Sequence, residues 1–195
     1  MVNGATSFLW NAEVKLSESN KSEIIEMIIR QASKDDIDVL INIIRSSYRN
    51  VAEKFELTKE NCPKFLGFCA KERVKSDFEK GIKYYILEQD HQLRGCVALE
   101  KASQDVCYLE RLAVLPKHRR KGYGKALVKH LFEQARKTGA QTVEIGMISK
   151  DRKLKNWYRK FGFVQKRTKR FDHLPFVVAF MSANITEPNQ IEELS

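Results

Sequence analysis

Hydrophobic positions along the chain change period several times, and each change marks an element. Met27 to Arg30 reads as a short strand. Ser33 is then placed as an N-cap for a helix in which Ile37, Leu40, Ile41 and Ile44 recur at helical spacing. Residues 51 to 63 carry no firm pattern, and a second helix is expected over Lys64 to Lys80, stopping at Gly81. Two strands follow, Ile82 to Gln89 and Cys96 to Lys101, joined by the polar turn Asp90-His91-Gln92. Val106 to Val114 is a third strand of this group. A helix from about Gly124 to Lys137 comes next, with Leu127, Val128, Leu131, Phe132 and Ala135 on one face and Gly139 beyond its end. Gln141 to Ile148 returns to strand, and Leu154, Trp157, Tyr158 and Phe161 then define an amphipathic helix. Phe163-Val164 and Phe176 to Met181 complete the set. Together these elements predict a layered α/β domain over residues 23–182, with an arm at 1–22 and a tail at 183–195.

The connection between the strand ending at Val114 and the helix carries the most chemical information. Arg119, Arg120, Lys121, Gly122, Tyr123, Gly124 and Lys125 form a basic, glycine-containing loop that opens onto a helix N-terminus. First-turn amides of a helix lack internal partners, and the helix dipole favours negative charge there. A glycine at this point lets backbone approach a ligand closely. The loop is therefore suited to a phosphate or pyrophosphate. It lacks the Gly-Lys-Ser/Thr ending of a Walker loop, and it lacks the third glycine of a dinucleotide fingerprint.

The stretch Leu109-Glu-Arg-Leu-Ala-Val-Leu-Pro-Lys-His-Arg-Arg-Lys-Gly-Tyr-Gly124 resembles the acyl-CoA-binding motif of the GNAT superfamily of N-acetyltransferases. Asn156-Trp-Tyr158-Arg-Lys-Phe-Gly162-Phe163 is similar to that family's later Tyr-x-x-x-Gly-Phe segment. The resemblance is firm from Tyr108 to Phe163 and extends more loosely from Met27 to Met181. It implies a GNAT-like mixed, largely antiparallel central sheet flanked by helices, with a splayed central strand pair. It also implies acetyl-CoA as cosubstrate, an amine acceptor and direct attack on the thioester. Carried onto this sequence, Leu112, Ala113 and Val114 would align the pantetheine arm, Arg119 to Lys125 would cradle the pyrophosphate, and Asp151 would stand among the cosubstrate contacts. Tyr158 would protonate the departing thiolate. Glu110 would be the base, with Glu100 as the alternative carboxylate. Packing is the competing role for Tyr158, and an ion pair with Arg111 the competing role for Glu110.

Charge sharpens the choice of partner. The 195-residue chain carries a net +10, yet Arg111 to Arg170 alone holds 19 Lys and Arg against three acids. Such a block attracts CoA phosphates, an acidic substrate or nucleic acid. No helix-turn-helix, zinc-finger or RNA-binding aromatic motif accompanies it, which argues against nucleic acid. Transfer of another acyl group, or a non-catalytic acyl-CoA-sensing or nucleic-acid-binding module, are the competing functions. Cys62, Cys69, Cys96 and Cys107 form no Cys-x-x-Cys pair and do not cluster with histidine, so a reduced protein without a metal is expected. No apolar run approaches the roughly 20 residues of a membrane span, and the cytoplasm is the expected compartment. The acceptor is left open between a small molecule and a protein amine, and the oligomeric state is open too, a homodimer among the options. The acceptor side is expected at about Arg45 to Lys80 and Phe171 to Phe180.

Overall fold

The computed structural model describes residues 27–186. The arm at 1–22 and most of the 183–195 tail lie outside them. Chain order is β1 (Met27–Gln31), α1 (Ile37–Lys54), α2 (Lys71–Glu79), β2 (Lys83–Gln89), β3 (Gln92–Lys101), β4 (Val106–Val114), α3 (Tyr123–Lys137), β5 (Thr142–Ile148), α4 (Arg152–Arg159), β6 (Val164–Arg170) and β7 (Val177–Asn184). Among the described residues the strands form one seven-stranded sheet in the order β1-β2-β3-β4-β5-β7-β6. Every pairing is antiparallel except β4 with β5. A single parallel contact needs a crossover, and α3 supplies it.

Two apolar layers hold the helices against the sheet. Leu127, Val128, Leu131, Phe132 and Ala135 of α3 pack with Leu99, Leu109, Val143, Met181 and Phe163 on one face. Ile37, Leu40, Ile41 and Ile44 of α1 pack with Val74, Tyr84, Ile86 and Ala113 on the other. Each fully buried side chain of this size contributes about 1.5–3 kcal/mol of transfer free energy. The core extends to Ile185, which is 1% exposed and donates its amide to Gln141.

Local chemistry sets most boundaries. Ser33 and Asp36 form a capping box around a short 3-10 turn, Lys34–Asp36, that feeds α1. Asp90 and His91 both have positive φ, which makes a tight hairpin turn and starts β3 at Gln92. α2 begins at Lys71, later than the helix expected from Lys64. Pro63 to Gly67 form an irregular segment that passes into a 3-10 turn at Leu66–Phe68. β6 is longer than the Phe163-Val164 segment expected, and all seven of its residues are exposed at the sheet edge. Its cations, Lys166, Arg167, Lys169 and Arg170, suit an unpaired edge that must resist pairing with another chain.

Candidate active site

The site arises where the parallel pair comes apart. β4 and β5 are paired only from Val106–Thr142 to Tyr108–Glu144, and beyond that point they separate. A cavity of about 710 Å³ lies against the gap, lined by Leu109 to Leu112 of β4 and Ile145 to Ile148 of β5. The splayed pair expected from the resemblance is therefore present.

β4 is also bulged at the same place. Cys96 faces Ala113 and Ala98 faces Glu110, so β4 carries one more residue than β3 across this interval. Arg111 takes a left-handed conformation there, with φ of 52°. Leu112 has no register partner on β3 or β5. A buried ion pair holds the distortion. Arg111 Nη2 lies 2.8 Å from Asp77 Oδ2, the Tyr84 hydroxyl donates to the same oxygen at 2.6 Å, and Arg111 Nη1 reaches Glu110 at 3.3 Å.

Glu110 and Tyr158 both line the cavity. Burial pushes the Glu110 carboxyl above its ordinary range; Arg111 opposes this, and Glu100 adds to it. Burial, followed by the Glu110 charge, pushes the Tyr158 hydroxyl up, so it remains protonated at neutral pH. Glu100, the alternative carboxylate, faces Tyr108 across β3–β4 and is not among the cavity residues. Tyr48 joins the pair from α1. Its hydroxyl donates to the Leu112 carbonyl at 3.0 Å, and burial, then Tyr158 and Glu110, raise its pKa. Nothing in the sequence separates Tyr48 from an ordinary helix residue four positions after Ile44.

The glycine loop sits at the end of β4. Gly122 is the N-cap of α3 with φ of 86°, no side chain caps that end, and a Cβ placed on Gly122 would stand in open space. Arg120 is also left-handed, and Arg120 and Lys121 are exposed beside it. Lys125 follows within the first turn of α3. Gly124 has a different requirement: its added Cβ would lie 3.3 Å from the Trp157 ring, so it lets α3 close onto α4.

The Arg119 side chain is directed inward. Its Nε donates to the Val114 carbonyl at 3.2 Å and its Nη2 donates to the Ser47 carbonyl, tying the loop to α1. Two further ties run to the β2–β3 hairpin. Arg94 Nη1 lies 3.0 Å from His118 Nε2, and the Tyr123 hydroxyl donates to Gln89. Ala113 and Val114 pair with Cys96 and Gly95, and of the three residues expected along the pantetheine only Leu112 lines the cavity. Asp151 caps α4, accepting from the Leu154 amide at 3.3 Å, and pairs with Lys54 at 3.0 Å while also lining the cavity.

The family model for acetyltransferases (GNAT) matches residues 44–163, well over half of the chain. The chain belongs to the GNAT family. An uncharacterized N-acetyltransferase of Bacillus subtilis is 33% identical over 104 residues, which span 53% of this chain and 64% of that relative. The ribosomal-protein-S18-alanine N-acetyltransferase from Escherichia coli has the same fold, with a TM-score of 0.67 at 17% identity over 87% of this chain and 99% of that one. The PaiA N-acetyltransferase from Thermoplasma acidophilum, in complex with coenzyme A, gives 0.68 at 19% identity over 82% and 99%. In this GNAT chain the bulge at Arg111 and Leu112 lines the cavity, and the glycine loop follows at the end of the same strand, β4. Among the described residues no group of His, Cys, Asp and Glu is arranged to hold a metal, and the four cysteines are buried and free. No described helix is long and apolar enough to cross a membrane.

Proposed function

We propose that this chain is an acetyl-CoA-dependent N-acetyltransferase that moves the acetyl group directly to an amine. Separation of β4 from β5 carries the reading, because it opens one cavity onto both Glu110 and Tyr158. The uncapped amides of α3 and the open space beside Gly122 fit a pyrophosphate, with Arg120 and Lys121 supplying charge. Arg119 contributes by fixing the loop through its two carbonyl contacts. Acetyl-CoA supplies the acetyl group already activated as a thioester. Leu112, outside both ladders, offers its N–H to the acetyl oxygen, while its carbonyl, which accepts from Tyr48, keeps a second lone pair for the pantetheine arm. Glu110 takes one proton from the acceptor ammonium, and the free amine attacks the thioester carbon. The C–S bond breaks as Tyr158 gives its proton to the departing sulfur, the second amine proton returning to the Tyr158 oxygen.

The test is calorimetry of acetyl-CoA binding combined with continuous detection of free CoA across small amines and peptides. Absence of acetyl-CoA binding overturns the reading. Gly122→Val is expected to lower acetyl-CoA affinity at least about 10-fold in a folded protein, because a left-handed position beside the ligand no longer accommodates its residue. Unchanged affinity by calorimetry would remove the loop assignment.

Glu110 gives a pH signature. Its raised pKa means that the basic form accumulates later than for a free glutamate, so kcat/KM climbs on a limb displaced upward in pH. Glu110→Gln should erase that limb and lower kcat/KM by about 10²-fold or more. The stability effect has the opposite sign. A carboxyl with a raised folded pKa contributes fully below its unfolded pKa, and the contribution is lost as pH rises through the folded value. Glu110→Gln is therefore more stable than wild type at neutral pH, and the gain fades in acid. Urea unfolding at both pH values checks the sign.

A further inference from the structure

The acetyltransferase reading leaves the acceptor open, and the outer half of the cavity restricts it. Two segments distant in sequence meet there. Residues 48–73, from α1 into α2, form one wall, and residues 173–178, leading into β7, form the other. Phe65, Phe68, Leu174 and Phe176 pack together across a shared apolar cluster around Cys62 and Ile148. Tyr48 stands edge-on to Phe65 at 5.9 Å. These rings are half-buried rather than sealed, so their remaining surface faces the cavity. An apolar wall of this kind gains most from an apolar ligand body.

Charge along the same lining points the same way. Two carboxylates line the cavity, and each already faces a cation: Glu110 meets Arg111 at 3.3 Å, and Asp151 meets Lys54 at 3.0 Å. Lys64 and Arg73 add positive charge, with Arg73 Nη1 fixed by donating to the Lys64 carbonyl at 2.7 Å. Among the described residues, a second ammonium on the acceptor would enter an apolar space rimmed by like charge, where the one further lining carboxylate, Asp151, is already engaged by Lys54 and the Leu154 amide. A single amine needs only Glu110, which neutralises it before attack.

From these walls we infer that the acceptor is a primary monoamine with an aromatic or alkyl body, and that polyamines and other polycations are excluded. The inference rests on the acetyltransferase reading. Phe65, Phe68 and Phe176 hold the body by contact, and Lys64 and Arg73 reject a second positive charge.

The experiment is an initial-rate panel on the full chain at fixed acetyl-CoA. It compares phenethylamine, tryptamine and octylamine with spermidine, kanamycin and a lysine-containing peptide. The apolar monoamines are expected to exceed spermidine in kcat/KM by at least about 10-fold, a difference of about 1.4 kcal/mol. Phe65→Ala should raise KM for phenethylamine about 10-fold with acetyl-CoA affinity unchanged. Arg73→Gln should raise kcat/KM for spermidine several-fold, on the order expected for removing one like charge. If acetyl-CoA binds but spermidine, kanamycin or the peptide is preferred, or no apolar amine is acetylated, the acceptor class is overturned and cosubstrate binding stands. If acetyl-CoA does not bind, the acetyltransferase reading itself fails.

Discussion

Tyr158→Phe is expected to lower single-turnover acetyl transfer by roughly 10²-fold or more while leaving fold and acetyl-CoA affinity nearly unchanged. The ring and the hydroxyl of Tyr158 face different surroundings. The ring sits in the main core, edge-on to Phe163 at 5.3 Å and to Trp157 at 5.0 Å, and phenylalanine keeps both contacts. The residue also lines the cavity beside Glu110. Among the described residues its hydroxyl makes no protein hydrogen bond, so removing it costs about 1 kcal/mol of stability at most. A packing tyrosine would show normal turnover with a small stability loss. The acid shows a large turnover loss with almost none. Single-turnover measurement matters because slow product release can hide the chemical step. Transfer at the wild-type rate with a good acceptor would rule out Tyr158 as the acid.

The same residue shows why the element carrying part of the candidate site was legible in the sequence. Tyr158 lies within a stripe of Leu154, Trp157 and Phe161 whose spacing specifies a helix, and α4 forms there. β4 runs from Val106 to Val114 as its apolar run predicts, and α3 starts one residue before the expected Gly124. These are segments whose burial is periodic, so composition and geometry agree. β6 was legible only at its start, Phe163-Val164, for the opposite reason. Gln165 to Arg170 buries no face, and its strand state comes from pairing with β7. The late start of α2 has a similar origin: the apolar residues 62 to 69 serve the cavity wall and not a helix face.

Side-chain assignments were harder to read than elements. A basic residue ahead of Gly-x-Gly suggests a phosphate contact, and Arg119 also donates to two backbone carbonyls, Val114 and Ser47. Asp151 likewise serves as a helix cap and ion-pair partner. Both contacts join segments distant in sequence, which local spacing does not encode. The bulge at Arg111 was hidden because a non-glycine residue with positive φ leaves no compositional mark. Asp77 offered a faint signal: it falls three residues after Val74, on the buried face of a helix where an acid needs a partner.

That partner makes Asp77→Ala the substitution with the largest expected effect on stability, a loss of about 3–5 kcal/mol. Asp77 is 4% exposed and Arg111 6%, so deleting the carboxylate leaves a guanidinium in a dry site. The Tyr84 hydroxyl, 0% exposed as a residue, loses its acceptor in the same step. For a domain of this size the thermal midpoint should fall by roughly 10 °C, taking about 2–4 °C per kcal/mol. Catalysis should suffer as well, because Arg111 holds the bulge beside Glu110. The double variant Asp77→Leu with Arg111→Met separates these effects. Removing both charges also removes the uncompensated ion, so much of the lost stability should return in urea unfolding. Turnover should stay low, since neither new side chain can anchor the left-handed residue that turns β4 toward the cavity. A double variant that recovers both stability and turnover would show that the ion pair stabilises the fold without shaping the site. An Asp77→Ala loss below about 1 kcal/mol would show that the pair does not stabilise the fold, since that is the scale of a solvent-exposed ion pair, and unchanged turnover in the same variant would show that it does not shape the site.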